Sequence, residues 1–149
     1  VKQGRAAAAI DVYRQALKGL YEHDPGLMLG LARAQFAAQL PADARQTLDE
    51  LIARNPDYKS QDGHLLYARA LEAEGNTSKA LEEYRVLAGY YAGAEAALRD
   101  AQLLRREGQR DGARRVLRDL LEHAQHAPGH YRRTQSEWLS VAERELSAL

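Results

Sequence analysis

Residues 63–91 read GHLLYARALEAEGNTSKALEEYRVLAGYY, and the spacing within them decides the fold. Leu65, Tyr67, Ala68 and Leu71 line one helix, and beyond the Gly75-Asn76-Thr77 break Ala80, Leu81, Tyr84 and Leu87 line a second. Apolar residues recurring three and four apart mark an amphipathic helix, so the stretch reads as helix, tight turn, helix. Gly75 stands where a helix needs a left-handed residue just past its end, and a residue without Cβ takes that conformation without strain.

The flanking sequence repeats the pattern. A helix over residues 4–21 carries Ala9, Val12, Tyr13, Ala16, Leu17 and Leu20 on one face. Asp24 then caps a helix that Pro25 is suited to begin, and residues 27–38 place Met28, Leu31, Ala32 and Gln35 on a stripe. Pro41 opens a third helix with Ala44, Leu48, Leu51 and Ile52, which Asn55-Pro56-Asp57 closes because proline disfavours helix in the residue before it. Beyond the central stretch come residues 95–107 (Leu98, Ala101, Leu104), the Gly108 break, and residues 110–123 (Ala113, Val116, Leu117, Leu120, Leu121). Ala127-Pro128-Gly129 is a further stop, and a single last helix over residues 130–147 carries Tyr131, Trp138, Leu139, Ala142 and Leu146. Strand-like alternation is nowhere sustained, so the class is all-α.

Small residues set a period. Ala9, Ala44, Ala80 and Ala113 follow one another at 35, 36 and 33 residues, each with a larger residue four positions on: Tyr13, Leu48, Tyr84 and Leu117. Twelve positions earlier stand Ala32, Ala68 and Ala101. Small side chains there let paired helices approach closely while the larger neighbours fill the space beside them. A helix pair repeated at about 34 residues resembles the tetratricopeptide (TPR) family. Ala68, Leu71, Gly75, Ala80, Tyr84 and Leu87 match that family's pattern, and Pro56 its closing proline; His64, Gln39 and Asp100 depart from it. The resemblance implies a TPR-like right-handed superhelix of antiparallel helix pairs. Its expected divisions are a half repeat (1–23), three repeats (24–57, 60–92, 93–127) and a C-terminal capping helix (129–149). The segments DPGLMLGLARAQF, SQDGHLLYARALEAEG and APGHYRRTQSEWL also resemble a bacterial family of divergent TPR proteins with no assigned activity. Its members usually carry an N-terminal membrane anchor, and the resemblance implies that this chain is the soluble part of a membrane-anchored protein.

Composition narrows the chemistry. Lys+Arg and Asp+Glu both number 21 and the formal net charge is zero, so general attraction to nucleic acid is not expected. Without cysteine there is no disulfide, thiolate metal site or thiol nucleophile. No phosphate-binding glycine loop, G-x-S-x-G elbow or H-E-x-x-H helix occurs, and the adjacent Glu82 and Glu83 diverge on a helix. The expectation is a non-catalytic protein-interaction scaffold with no cofactor.

First helices of TPR pairs line a concave groove that holds extended peptides. The repeat alignment puts Arg33, Arg69 and Gln102 at equivalent groove places, Leu29, Leu65 and Leu98 one turn before them, and Phe36, Glu72 and Arg105 about one turn after. Guanidiniums there suit a peptide carboxylate or acidic side chains; the alternative is pairing with acids on neighbouring helices. A second reading gives anionic lipid or an acidic partner to the basic C-terminal half: Arg99, Arg105, Arg106, Arg110, Arg114, Arg115, Arg118, Arg132 and Arg133. His123, His126 and His130 have no completing carboxylates, and Pro128-Gly129 separates the third, so no metal site is expected. The half repeat begins without a leading helix, and its uncovered edge suits self-association.

Overall fold

The computed structural model describes residues 2–149; Val1, the first residue of the expected half repeat, lies outside them. The elements among the described residues are all helical: α1 (Lys2–Ala16), a 3-10 turn (Gly19–Tyr21), α2 (Pro25–Ala37), α3 (Pro41–Arg54), α4 (Gln61–Ala73), α5 (Thr77–Ala88), α6 (Glu95–Arg106), α7 (Arg110–His126), α8 (Gly129–Thr134) and α9 (Ser136–Ala148). They form two compact units, Val1–Ala80 and Leu81–Leu149.

In the first unit α2 packs against α1, α3 and α4. Asp24 caps α2 as its sequence position predicts, its carboxylate accepting the Leu27 N–H at 2.9 Å with Pro25 in the first turn. Ser60 does the same for α4, accepting from the Gly63 N–H at 2.9 Å. Met28, Leu29, Ala32, Leu48, Leu51 and Leu66 make one apolar cluster, and Ile10, Leu31 and Ala34 another against Tyr13 and Leu17. The buried Gln35 amide oxygen accepts the Thr47 hydroxyl at 2.6 Å, so its polarity is met inside the core. Asn55, in the stop after α3, donates its amide to the His23 carbonyl at 2.9 Å and ties that end to the turn before α2.

The first helix differs from its expected form. Lys18 turns extended (φ −101°, ψ 150°) and Gly19 takes a positive φ of 65°, so α1 stops at Ala16. Its buried side is Ala6 and Ile10, while Val12 is 67% and Leu20 99% exposed. In α3 the expected stripe is buried except for Ile52, which is 57% exposed.

In the second unit α6 and α7 pair, and α9 packs on α7 and α6. Leu98, Ala101, Ala113, Leu117, Leu120, Leu139 and Ala142 share one core, with Trp138 partly buried beside it, so the terminal helix does cover apolar surface of the last pair. The expected single last helix is broken at Gln135 into α8 and α9. Gln135 has left the helical angles (φ −102°, ψ 11°), and its side-chain oxygen accepts the Ala94 N–H at 2.8 Å, at the start of α6. A local pattern of residues carries no sign of a partner 41 positions away.

Asp100 is 5% exposed in α6. Burial pushes its carboxyl up from 3.8 to about 6, against the opposing attraction of Arg85.

Two outcomes follow from this packing. A Cβ on Gly30 would stand 2.3 Å from Tyr13 Cε1 and 2.5 Å from Cζ. Gly30→Ala therefore destabilises the fold by about 1–3 kcal/mol in urea unfolding, and Gly30→Ala with Tyr13→Ala loses less than the two single losses summed. For Asp100, the folded state holds its proton to a higher pH than the unfolded chain, so stability falls as pH rises from about 4 to about 6 and is level above. Asp100→Asn removes that fall. Measured by urea unfolding at both pH values, the stability of the variant relative to the parent rises by up to about 3 kcal/mol between pH 4 and pH 7; parallel pH profiles would reject the assignment.

Candidate functional site

Four of the six groove candidates belong to the first unit and two to the second. Arg33 and Phe36 lie one turn apart on α2, Arg33 exposed and Phe36 half-buried. Arg69 and Glu72 lie one turn apart on α4, both half-buried. The fold brings Phe36 and Arg69 together: the guanidinium carbon sits 4.8 Å from the centre of the Phe36 ring. A cation over an aromatic face gains about 0.5–2 kcal/mol, and the contact orients the guanidinium plane. Gln102 and Arg105 belong to α6 in the second unit. Gln102 donates its amide to the Glu145 carboxylate of α9 at 2.8 Å, and Arg105 is exposed in the last turn. Leu29, Leu65 and Leu98 are 5%, 5% and 1% exposed. They are core residues and offer no apolar surface to a ligand, because the turn they occupy faces the partner helix.

Phe36 and Arg69 border a cavity of about 570 Å³, whose other lining residues are Lys2, Gln3, Ala37 and Gln39. Two cations, two amides and an aromatic ring line it, and none of the six is acidic. Sequence reasoning did not place Lys2, Gln3 or Ala37 here, nor Gln39. Gln39 occupies the turn after α2 at φ 64°, and the glycines at the matching turns, Gly75 and Gly108, have φ 87° and 79°. A side chain in this left-handed region costs about 1–2 kcal/mol relative to the ordinary helical one. Its substitution for glycine was visible in the repeat alignment; its position beside Arg69 was not.

Behind this face the polar contacts are structural. Arg45 bonds Glu74 at 2.6 Å and Asp49 at 2.9 Å, holding α3 to the end of α4. Tyr67 hydrogen-bonds Asp49 and Lys79, and the Lys79 ammonium lies 5.7 Å from its ring centre.

In the second unit several arginines of the basic run are committed within the fold. Arg99 pairs with Glu95 at 2.7 Å and lies 5.9 Å from the Trp138 ring centre. Arg114 bonds Asp111 at 2.7 Å and the Leu149 carbonyl at 2.8 Å. Arg132 reaches back to the Ala127 carbonyl at 2.7 Å and the Ala124 carbonyl at 3.3 Å, closing the end of α7. Among the histidines, His123 meets the Tyr131 ring edge to face at 5.4 Å. Among the described residues no three His, Cys, Asp or Glu side chains gather as a metal site, and no helix is long and apolar enough to cross a membrane.

Comparison with known proteins agrees with this architecture. The tetratricopeptide-repeat family matches residues 1–61. No curated protein sequence matches the chain. A crystal structure of MamA superposes with a TM-score of 0.70 at 16% identity, covering 97% of this chain and 86% of the other. A second MamA structure gives a TM-score of 0.68 at 17% identity, covering 95% of this chain and 79% of the other. At these identities the likeness is one of fold, and the fold is the all-α, TPR-like one that the spacing of Ala32, Ala68 and Ala101 predicts.

Proposed function

We propose that the protein is a non-catalytic interaction scaffold whose α1–α2–α4 face binds the acidic or carboxylate-bearing end of a peptide. The observation that carries this reading is the Arg69 guanidinium set over the Phe36 ring at the edge of a cavity lined by cations and amides without a carboxylate. An oriented guanidinium presents two parallel N–H groups to a carboxylate, and the ring beside it offers apolar contact to the adjoining side chain. Arg33, exposed one turn before Phe36 on α2, extends the positive strip toward a second acidic group. Gln39 adds an amide that can bond peptide backbone, and its left-handed backbone supports a role in binding: strain of that kind concentrates at ligand sites. Glu72, on the same face of α4, favours a ligand of limited negative charge over a polyanion.

The basic C-terminal half is the alternative site, for anionic lipid or an acidic partner. Arg99, Arg114 and Arg132 there are engaged with acids or carbonyls of their own unit, which reduces the charge left for a lipid surface.

Binding is measured by fluorescence anisotropy with a labelled decapeptide bearing one Asp or Glu side chain and a free C-terminal carboxylate, against its Asn/Gln, amidated counterpart. Arg33→Gln with Arg69→Gln weakens the acidic peptide by roughly ten- to a hundredfold, as loss of two charge-assisted hydrogen bonds requires, while the helical circular dichroism stays unchanged. Equal binding by the double variant, or equal affinity for the neutral peptide, sinks the reading. Gln39→Gly separates stability from binding: it raises the unfolding free energy by up to about 1 kcal/mol by relieving the left-handed residue, yet lowers peptide affinity.

A further inference from the structure

The second unit contains a cavity of about 630 Å³, formed by the segment between α5 and α6 together with α7 and α8. That volume lies within the usual range for small-ligand sites. Three of the chain's eight tyrosines line it, Tyr90, Tyr91 and Tyr131. The other chemistry-bearing groups at its wall are Asp119 and His123 of α7. Arginine is absent from the lining although α7 alone carries four of them, so Asp119 is the single Asp, Glu, Lys or Arg facing this space.

The cavity wall is held by specific contacts. The Gln135 side-chain oxygen accepts the Ala94 N–H, and a Cβ on Gly93 would stand 3.0 Å from that oxygen and 3.2 Å from Tyr91 Cε2. Gly93 therefore permits the approach of Gln135 and Tyr91 that shapes the segment. Tyr131 is fixed by its edge contact with His123 and by the Gln135 N–H, which bonds the Tyr131 carbonyl at 2.9 Å. Burial raises the Tyr90 and Tyr131 hydroxyls above the ordinary phenol value, so both rings stay neutral at physiological pH.

We propose that this cavity binds a quaternary ammonium group, held by the faces of Tyr90, Tyr91 and Tyr131 with Asp119 as its counter-charge. The chemistry follows from the lining. Aromatic faces carry negative quadrupole potential and attract a cation whose charge is spread over methyl groups, while water competes weakly for such a cation. An anion would meet Asp119 with no arginine or lysine to answer it. A purely apolar ligand would gain nothing from Asp119. The site is independent of the α1–α2–α4 face, and either can fail without the other.

The probe is choline, set against 3,3-dimethylbutan-1-ol, the same shape without the charge, in titrations followed by amide NMR on the intact chain at pH 8. Choline is expected to shift the resonances of Asp119, His123 and Tyr131, with an affinity about tenfold above that of the neutral alcohol. Asp119→Asn, at an exposed position that does not contribute to the core, weakens choline about three- to tenfold and leaves the alcohol unchanged. Tyr90→Leu, which keeps an apolar side chain at a 46% exposed position, also weakens choline selectively. Sedimentation with phosphatidylcholine vesicles separates the two sources of the group: vesicle binding that choline competes away assigns a lipid headgroup, and its absence assigns a free ligand, both keeping the site. Equal affinity for choline and the alcohol, shifts confined to other residues, or an Asp119→Asn variant that binds choline as tightly as the parent overturns the proposal.

Discussion

Close approach of paired helices is the constraint on which everything else rests. Ala32, Ala44, Ala68, Ala80, Ala101 and Ala113 are all between 0% and 1% exposed. A buried alanine gains little by itself, since it has few carbon atoms to remove from water. Its value is geometric: it lets the opposing helix come near enough for Leu48, Tyr84 and Leu117, one turn on, to be 3%, 0% and 1% exposed. Enlarging any of these alanines would separate the axes and cost the contacts of the larger residue as well. Gly30 takes the same principle further, bringing its helix against the Tyr13 ring closely enough that even a methyl group has no room.

This constraint explains how much was legible in the sequence. Ala-to-Ala spacing gave the helix pairs because each small residue must meet a partner, and Asp24, Gly75 and Gly108 marked boundaries because their chemistry acts within a few residues. What the sequence could not supply were choices made by distant groups. On α1, an alanine-rich helix, periodicity alone could not say whether Ala6 and Ile10 or Val12 and Leu20 would be covered, and the structure buries the first pair. The break at Gln135 arises from a bond to Ala94 in another element. At the candidate site, the alignment put Arg33, Phe36 and Arg69 near one face, but the contacts their side chains make were not in it: within the first unit Arg69 turns onto Phe36, and within the second Gln102 is bonded to Glu145.

Equivalent positions also show how one slot accepts different chemistries. Leu31, Tyr67 and Asp100 are related by the repeat, as are Arg14, Asp49 and Arg85 on the preceding helices. Leu31 fills its slot with apolar surface beside Ile10 and Ala34. Tyr67 keeps an apolar ring and sends its hydroxyl to Asp49. Asp100 has no ring to bury and is attracted to Arg85 instead. Attraction to Arg85 and loss of water act on that carboxyl in opposite directions, and the rise to about 6 says that loss of water is the larger. Repeat periodicity thus preserves the place of a contact while leaving its energy to the residue that fills it. That is why two of the divergent positions of this chain, Gln39 and Asp100, carry an unusual backbone conformation and an unusual protonation.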